Sequence, residues 1–310
     1  MKSKIPIYVF SYNRPAHLLN AVLSTLEHTS SMVYVVDNYS SDPETIQILE
    51  VCKRLDRVTI ILHDSKRVGG KVTGLWDLMT CALRHCNDMN YKYAIFMQDD
   101  MQYVRDVLIE DDNKIREIFE SNKDMAIIQN TYMKSVSENN LSLSCYQKRS
   151  SYVFIREDCH PSLIKNYTDT GIFNIQRILE VLDQFQVSEA ANNILFGKKN
   201  LKLGFYYSPF VMFLPSPVTY RGKKRDILHK FIEFFGGAGF YPYKPISNQQ
   251  LDFDVLTHPP LDADYLSLKN YDTFKGTEFI YTGGCILLKR RGVVAFFLCR
   301  LSMYIKRILK

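Results

Sequence analysis

The chain has no hydrophobic run long enough to cross a bilayer, no internal repeat and no low-complexity tract. Its first apolar stretch, Ile5 to Phe10, is stopped by Ser11-Tyr12-Asn13-Arg14-Pro15, too soon for a membrane span or a signal peptide. The seven cysteines (Cys52, Cys81, Cys86, Cys145, Cys159, Cys285, Cys299) are odd in number and scattered. None forms a CxxC pair or a Cys/His zinc spacing, so free thiols in a reducing, cytoplasmic compartment are expected. Acidic residues are absent from Cys285 to Lys310, where Lys289, Arg290, Arg291, Arg300, Lys306, Arg307 and Lys310 stand. Thirty-nine Lys and Arg less those seven leave thirty-two, against thirty-three Asp and Glu. The body is therefore near neutral, which argues against a nucleic-acid binder with a basic folded surface.

What is present is an ordinary globular composition, 46% hydrophobic and 23% charged over 310 residues, which suits one large domain with an appendage. The first half alternates strand-like and helix-like segments. Strands are expected at Ile5–Phe10, Met32–Val36, Val58–Leu62, Tyr93–Met97 and Met125–Gln129. Helices are expected over Ala16–His28, after Asp42-Pro43-Glu44 (Asp42 as N-cap, Pro43 at the first position), over Leu75–Arg84 and over Asp106–Phe119. Short apolar runs joined by helical crossovers imply a doubly wound α/β sheet covered on both faces. Beyond it, Ser135–Ser151 reads as polar loop, Tyr152–Ile155 as a strand and Ile172–Phe185 as a helix. A further helix opens at Ser188, and Gly204–Leu214 reads as an extended pair. Residues 236–284 show little periodicity and read as an irregular lobe.

Polar clusters end four consecutive strands, where open α/β sheets bind ligands. They are Ser11-Tyr12-Asn13-Arg14, Asp37-Asn38-Tyr39-Ser40-Ser41-Asp42, Arg67-Val68-Gly69-Gly70-Lys71 and Gln98-Asp99-Asp100. Two adjacent carboxylates after an apolar run are costly unless paired, protonated or put to use, and hard oxygen ligands hold divalent cations against phosphates.

These residues resemble the glycosyltransferases of the GT-A fold, particularly the family-2-like group that builds bacterial surface glycans. The resemblance covers roughly residues 4 to 220. It implies a GT-A catalytic domain over 1–225 with a Rossmann-like, mostly parallel sheet, an irregular lobe over 226–284 on the acceptor side, and a tail helix over 285–310. Ser11, Tyr12, Asn13 and Arg14 are then expected to line the nucleotide pocket, with Asp37 on the base or ribose. Arg67 and Lys71 are expected near donor sugar or phosphates. Asp100 is expected as the main ligand of Mn²⁺ or Mg²⁺, with Asp99 beside it. Gln98 departs from the family, which usually has an acid there. Arg221, Lys223, Lys224 and Arg225 are candidates for the diphosphate, or a solvated basic turn.

An inverting transferase also needs a carboxylate base for the attacking hydroxyl. The family places an acidic pair at the start of a helix before a Gly–aromatic strand. Glu189 matches, but Ala190 occupies the second position, and Asp169 is its rival. Either can instead be a helix-start acid favoured by the macrodipole. In the tail, Val294, Leu298, Leu301, Ile305, Ile308 and Leu309 share one helical face opposite the bases. That pattern fits an interfacial helix on anionic lipid, or a helix packed on the protein. The expected activity is metal-dependent, inverting transfer from a nucleotide-diphospho-sugar, a UDP-sugar first, to a saccharide or lipid-linked saccharide at the inner membrane face. A non-catalytic membrane-associated binding module is the alternative. A sugar-nucleotide pyrophosphorylase is disfavoured because Ser11–Arg14 lacks glycine.

Overall fold

The structure, a computed structural model, describes residues 1–63, 74–134, 143–149, 152–157, 165–215, 239–247, 252–269, 279–282 and 285–288. Apolar runs of four to six residues build its central sheet. β1 (Ile7–Ser11), β2 (Val33–Asp37), β3 (Val58–Leu62) and β4 (Tyr93–Gln98) are mutually parallel. They alternate with α1 (Pro15–His28), α2 (Pro43–Cys52) and α3 (Leu75–Asp88). Asp42 caps α2 as expected, its carboxylate accepting from the Thr45 N–H at 2.8 Å.

A short β5 (Met101–Tyr103) and α4 (Ile109–Ser121) lead to β6 (Met125–Gln129). Then come β7 (Tyr146–Lys148), β8 (Val153–Arg156), β9 (Gly171–Asn174), α5 (Ile175–Leu179), α6 (Glu189–Lys198), β10 (Lys202–Tyr206) and β11 (Val211–Phe213). The nine-stranded sheet runs β3-β2-β1-β4-β9-β6-β10-β8-β7. Only β8 and β9 oppose the common direction, so the sheet is mostly parallel, as expected. The chain winds outward from β1 to β3, then returns to β4 on the other side of β1. The point where that order reverses lies between β1 and β4, and Ser11–Arg14 and Gln98–Asp100 both leave the sheet there.

The expected helix over Ile172–Phe185 is corrected. Its first residues are β9, wedged antiparallel between β4 and β6, and only Ile175–Leu179 is helical. Asn174 marks the boundary, its side chain capping Arg177 N–H at 3.2 Å. Gly171 enters β9 at φ +132°, where an added Cβ would lie 2.5 Å from the Ile128 carbonyl oxygen. The expected loop Ser135–Ser151 also carries a 3₁₀ turn, Leu143–Cys145, and strand β7.

The irregular region past β11 is strapped onto the body. Gln102 and the backbone of Tyr243 exchange two hydrogen bonds of 2.9 Å, and Ile246 N–H meets the Val104 carbonyl at 2.7 Å. Tyr243, Leu266 and Leu268 pack with Val104, Tyr132, Met212 and Leu214 in a small second core. Strands β12 (Phe279–Thr282) and β13 (Cys285–Leu288) form a hairpin, so the first four residues of the expected tail helix are strand. Residues 289–310, which carry its amphipathic pattern, lie outside the described residues, as do Arg67, Lys71, Arg221, Lys223, Lys224 and Arg225. Among the described residues no helix is long and apolar enough to cross a membrane.

Candidate active site

The loops after β1 and β2 are clasped into one another. Asn13, at φ +50°, accepts from the Ser41 and Asp42 N–H groups through its side-chain oxygen at 2.8 and 2.9 Å. Its own N–H reaches Ser40 Oγ at 3.0 Å. Asp37 is buried opposite Ser11 in the β1–β2 register and accepts from Ser40 N–H and Oγ at 2.8 and 2.7 Å. Burial pushes its carboxyl up, against the bonds from Ser40. Asn13 and Asp37, expected in the nucleotide pocket, thus spend these oxygens on the protein. The same clasp presents Tyr39 to solvent at φ +50°, a conformation costly for a bulky residue.

At the end of β4 the two aspartates divide their work. Asp99 accepts from Tyr12 N–H at 3.1 Å and from Arg14 Nη1 at 2.8 Å, so both of its oxygens are engaged. Arg14 Nη1 also reaches Asp100 Oδ2 at 2.9 Å. Asp100 Oδ1 is buried and has no hydrogen-bond partner among the described residues. Burial pushes the Asp99 carboxyl up, and the neighbouring Asp100 adds to that against the pull of Arg14. His17, in the first turn of α1, stands by the same group. Burial and the Arg14 charge bring it down to about 4, so it is a neutral imidazole there.

Gln98 explains its own departure from the family. Its amide Nε2 donates to Asp169 Oδ2 at 2.9 Å, tying the β4 end to the segment before β9. A carboxylate in its place would repel Asp169. Asp169 and Glu189, rivals in the sequence, line one cavity of about 270 Å³. Gln129, Thr131, Lys134, Arg156, Tyr167 and Phe213 complete much of its wall.

Glu189 opens α6, whose cap is Ser188 Oγ accepting from Ala191 N–H at 3.2 Å. Asn193 on that helix accepts from Lys165 and Asn166 N–H at 3.1 and 2.9 Å, holding the segment that leads to Asp169. Burial, then the Asp169 charge, pushes Glu189 up to about 7. A helix N-terminus favours an anion by ~0.3–1 kcal/mol, less than one pKa unit, so burial prevails. Asp169 is pushed up to about 6, chiefly by burial, with Asp100 adding and Lys134 and the Gln98 bond opposing. Two carboxyls poised near neutrality suit proton transfer.

A divalent cation fits at Asp100. One buried oxygen has no partner among the described residues, and burial above all pushes the surrounding acids Asp99, Asp169 and Glu189 towards their protonated forms. Among the described residues no group of three or more His, Cys, Asp or Glu could hold a metal alone. Catalytic Mg²⁺-type ions take one or two carboxylates and complete their shell with water and substrate phosphates.

Lys134, His17, Arg156 and Asp262 join the site without having been singled out from the sequence. Lys134 was the most accessible to such a reading, because Thr131-Tyr132-Met133-Lys134 follows a strand end as the four chosen clusters do.

Neither a family model nor a curated protein sequence matches the chain. Among solved structures, it is similar to the mannosyltransferase PcManGT from Pyrobaculum calidifontis in complex with GDP-Man and Mn²⁺. That likeness has 11% identity over 76% of this chain and 63% of that one, with a TM-score of 0.44. GalNAc-T7 with UDP, GalNAc and Mn²⁺ is similar at 7% identity, over 74% and 47% of the two chains, with a TM-score of 0.48. The WbbM bifunctional glycosyltransferase in its apo form is similar at 11% identity, over 72% and 47%, with a TM-score of 0.38. The chain thus spans about half to just under two thirds of the length of these proteins.

Proposed function

We propose that the chain is a metal-dependent glycosyltransferase that moves a sugar from a nucleotide-diphospho-sugar to a hydroxyl of a saccharide or lipid-linked saccharide. The observation that carries this reading is the free buried oxygen of Asp100 at the sheet's switch point, joined through Gln98 to a cavity where two near-neutral carboxyls converge. Asp100 is the protein ligand of Mn²⁺ or Mg²⁺, and Asp99 fixes Arg14 and the Tyr12 backbone beside it. When bound, the cation neutralises charge developing on the diphosphate. Ser11, Tyr12 and Asn13 form the nucleotide rim, and Arg14 has two guanidinium nitrogens without a partner among the described residues, available to phosphate oxygens. Glu189 or Asp169 takes the proton of the acceptor hydroxyl, which gives inversion if that carboxylate faces the departing diphosphate across the sugar.

The test is donor hydrolysis and transfer with a panel of UDP- and GDP-sugars, with Mn²⁺ and with a chelator. Wild type should act on one of them only with metal, and Asp100→Asn should lose most of that metal-stimulated rate while keeping its fold. Full activity in the chelator, or in the variant, defeats the metal assignment. No turnover of any donor, with nucleotides still bound, favours the binding-module alternative.

The basic amphipathic pattern of 289–310 supports attachment to an anionic membrane surface. Removing residues 290–310 should then release the protein from anionic liposomes and leave activity on a soluble acceptor. Aggregation of the shortened chain, with the intact one ignoring liposomes, would make the tail a core element instead.

A further inference from the structure

We infer that Lys134 is a second cation on the departing diphosphate, in addition to Arg14. This rests on the transferase reading above but concerns a residue it does not need. Lys134 ends the segment that follows β6, and its neighbour Met133 is pinned there. Met133 N–H donates to the Pro260 carbonyl at 2.9 Å, and the Met133 carbonyl accepts from Asp262 N–H at 2.8 Å. The Lys134 ammonium lies over the Phe213 ring, 4.6 Å from its centroid. The next residue, Leu214, donates its N–H to the Asp100 carbonyl at 2.7 Å. The aromatic platform under Lys134 is therefore tied directly to the metal-binding strand end.

Lys134 shares the cavity wall with Asp169 and Glu189; burial pushes its ammonium down, and the nearby charges of Asp100, Asp262 and Asp169 act against that. Among the described residues it makes no ion pair with any of them. Arg14 already holds Asp100 Oδ2. An ammonium near three carboxylates but bonded to none of them among the described residues has its donors available to an incoming anion. In the reaction the bond between the sugar's anomeric carbon and the phosphate oxygen breaks, and its electron pair stays on that oxygen. The acceptor oxygen bonds to the carbon, and its proton passes to Glu189 or Asp169. Lys134 then donates to the diphosphate oxygen that gained the charge.

The test measures binding of UDP, GDP, UMP and GMP to the full chain with Mn²⁺ by calorimetry, for wild type, Lys134→Met and Lys134→Arg. A charge-assisted hydrogen bond lost in Lys134→Met should weaken the diphosphate about 10- to 100-fold. Binding of the matching monophosphate should stay within about twofold, and Lys134→Arg should recover much of the loss. With the accepted donor, kcat should fall more than KM changes. Equal weakening of monophosphate and diphosphate would show a structural role, and unchanged diphosphate binding would show none; either overturns the inference while leaving the transferase reading intact. If wild type binds no nucleotide at all, both fall together.

Discussion

Arg105 and Arg14 are both held against buried aspartates, yet they are satisfied in opposite ways. Arg105 bonds Asp111 through two nitrogens at 3.1 and 3.0 Å, the Pro209 carbonyl through Nε at 3.1 Å and the Asp106 carbonyl at 2.7 Å. Asp111 in turn accepts from Tyr206 OH at 2.9 Å and Leu108 N–H at 3.0 Å. Every charged atom there has a protein partner, and the group locks the start of α4 to the β10–β11 turn. Arg14 meets two carboxylates with a single nitrogen, and Asp100 keeps an orphan oxygen. A buried polar network that is fully paired rigidifies a fold, whereas one left half-paired persists where a ligand completes it. The first arginine is architecture, and the second fits the binding role proposed for it.

The largest expected difference is in stability. Removing one partner of a buried, fully bonded pair typically costs ~3–5 kcal/mol, because the other charge is stranded. Arg105→Met should therefore lower the denaturation midpoint severely or leave the chain unfolded. Arg14→Met should cost less, since Asp99 is already pushed towards protonation and Asp100 is short of a partner among the described residues, but it should abolish nucleotide binding. Chemical denaturation of both variants decides it. Equal losses of stability would erase the distinction between the two centres.

The next difference is in turnover. Asp100 is linked through Gln98 to Asp169, which shares its cavity with Glu189. Loss of a general base usually costs about 10²–10⁴-fold in rate. Glu189→Gln should lower kcat by that order with nucleotide binding unchanged, and the wild-type rate should rise with pH through about 7. Near-normal turnover in Glu189→Gln, with collapse in Asp169→Asn and a profile rising through about 6, would move the role to Asp169.

Much of the architecture was readable before the structure, for physical reasons. Met125–Gln129 has the predicted bounds because the apolar run Met125–Ile128 is short and ends at Gln129, a length that favours a buried strand over a helix. Asp42-Pro43 announced α2 by its capping chemistry. β9 was hidden because Ile172 and Phe173 run straight into Ile175 and Ile178, which continue a helical spacing. Only the tight passage of Gly171 past Ile128 makes the first residues a strand. The site was half legible. Carboxylates at the end of β4 stand out wherever the sheet places them, but Lys134 and Asp262 reach them only because β9 inserts between β4 and β6 and the strap returns over β11. Strand order is a long-range property that no local pattern encodes. The convergence of Asp169 with Glu189, treated as alternatives in one dimension, belongs to the same class.

The smallest expected effect is the sharpest check on whether the second centre is short of positive charge. Glu189 ionises near 4.5 in an unfolded chain and near 7 in the folded one. Between those values the folded state holds a proton that the unfolded state releases, so raising pH through that window lowers stability, with the loss complete above about 7. Glu189→Gln cannot ionise and escapes the penalty. Its melting temperature should match wild type near pH 4 and exceed it at pH 8, without added metal. Arg105 and Asp111 offer no such gain, since their charges are already met. Were Glu189→Gln no more stable than wild type at pH 8, the Glu189 carboxylate would have a partner in the folded chain. The contrast between a finished ion pair and one awaiting its ligand would then have to rest on Asp100 alone.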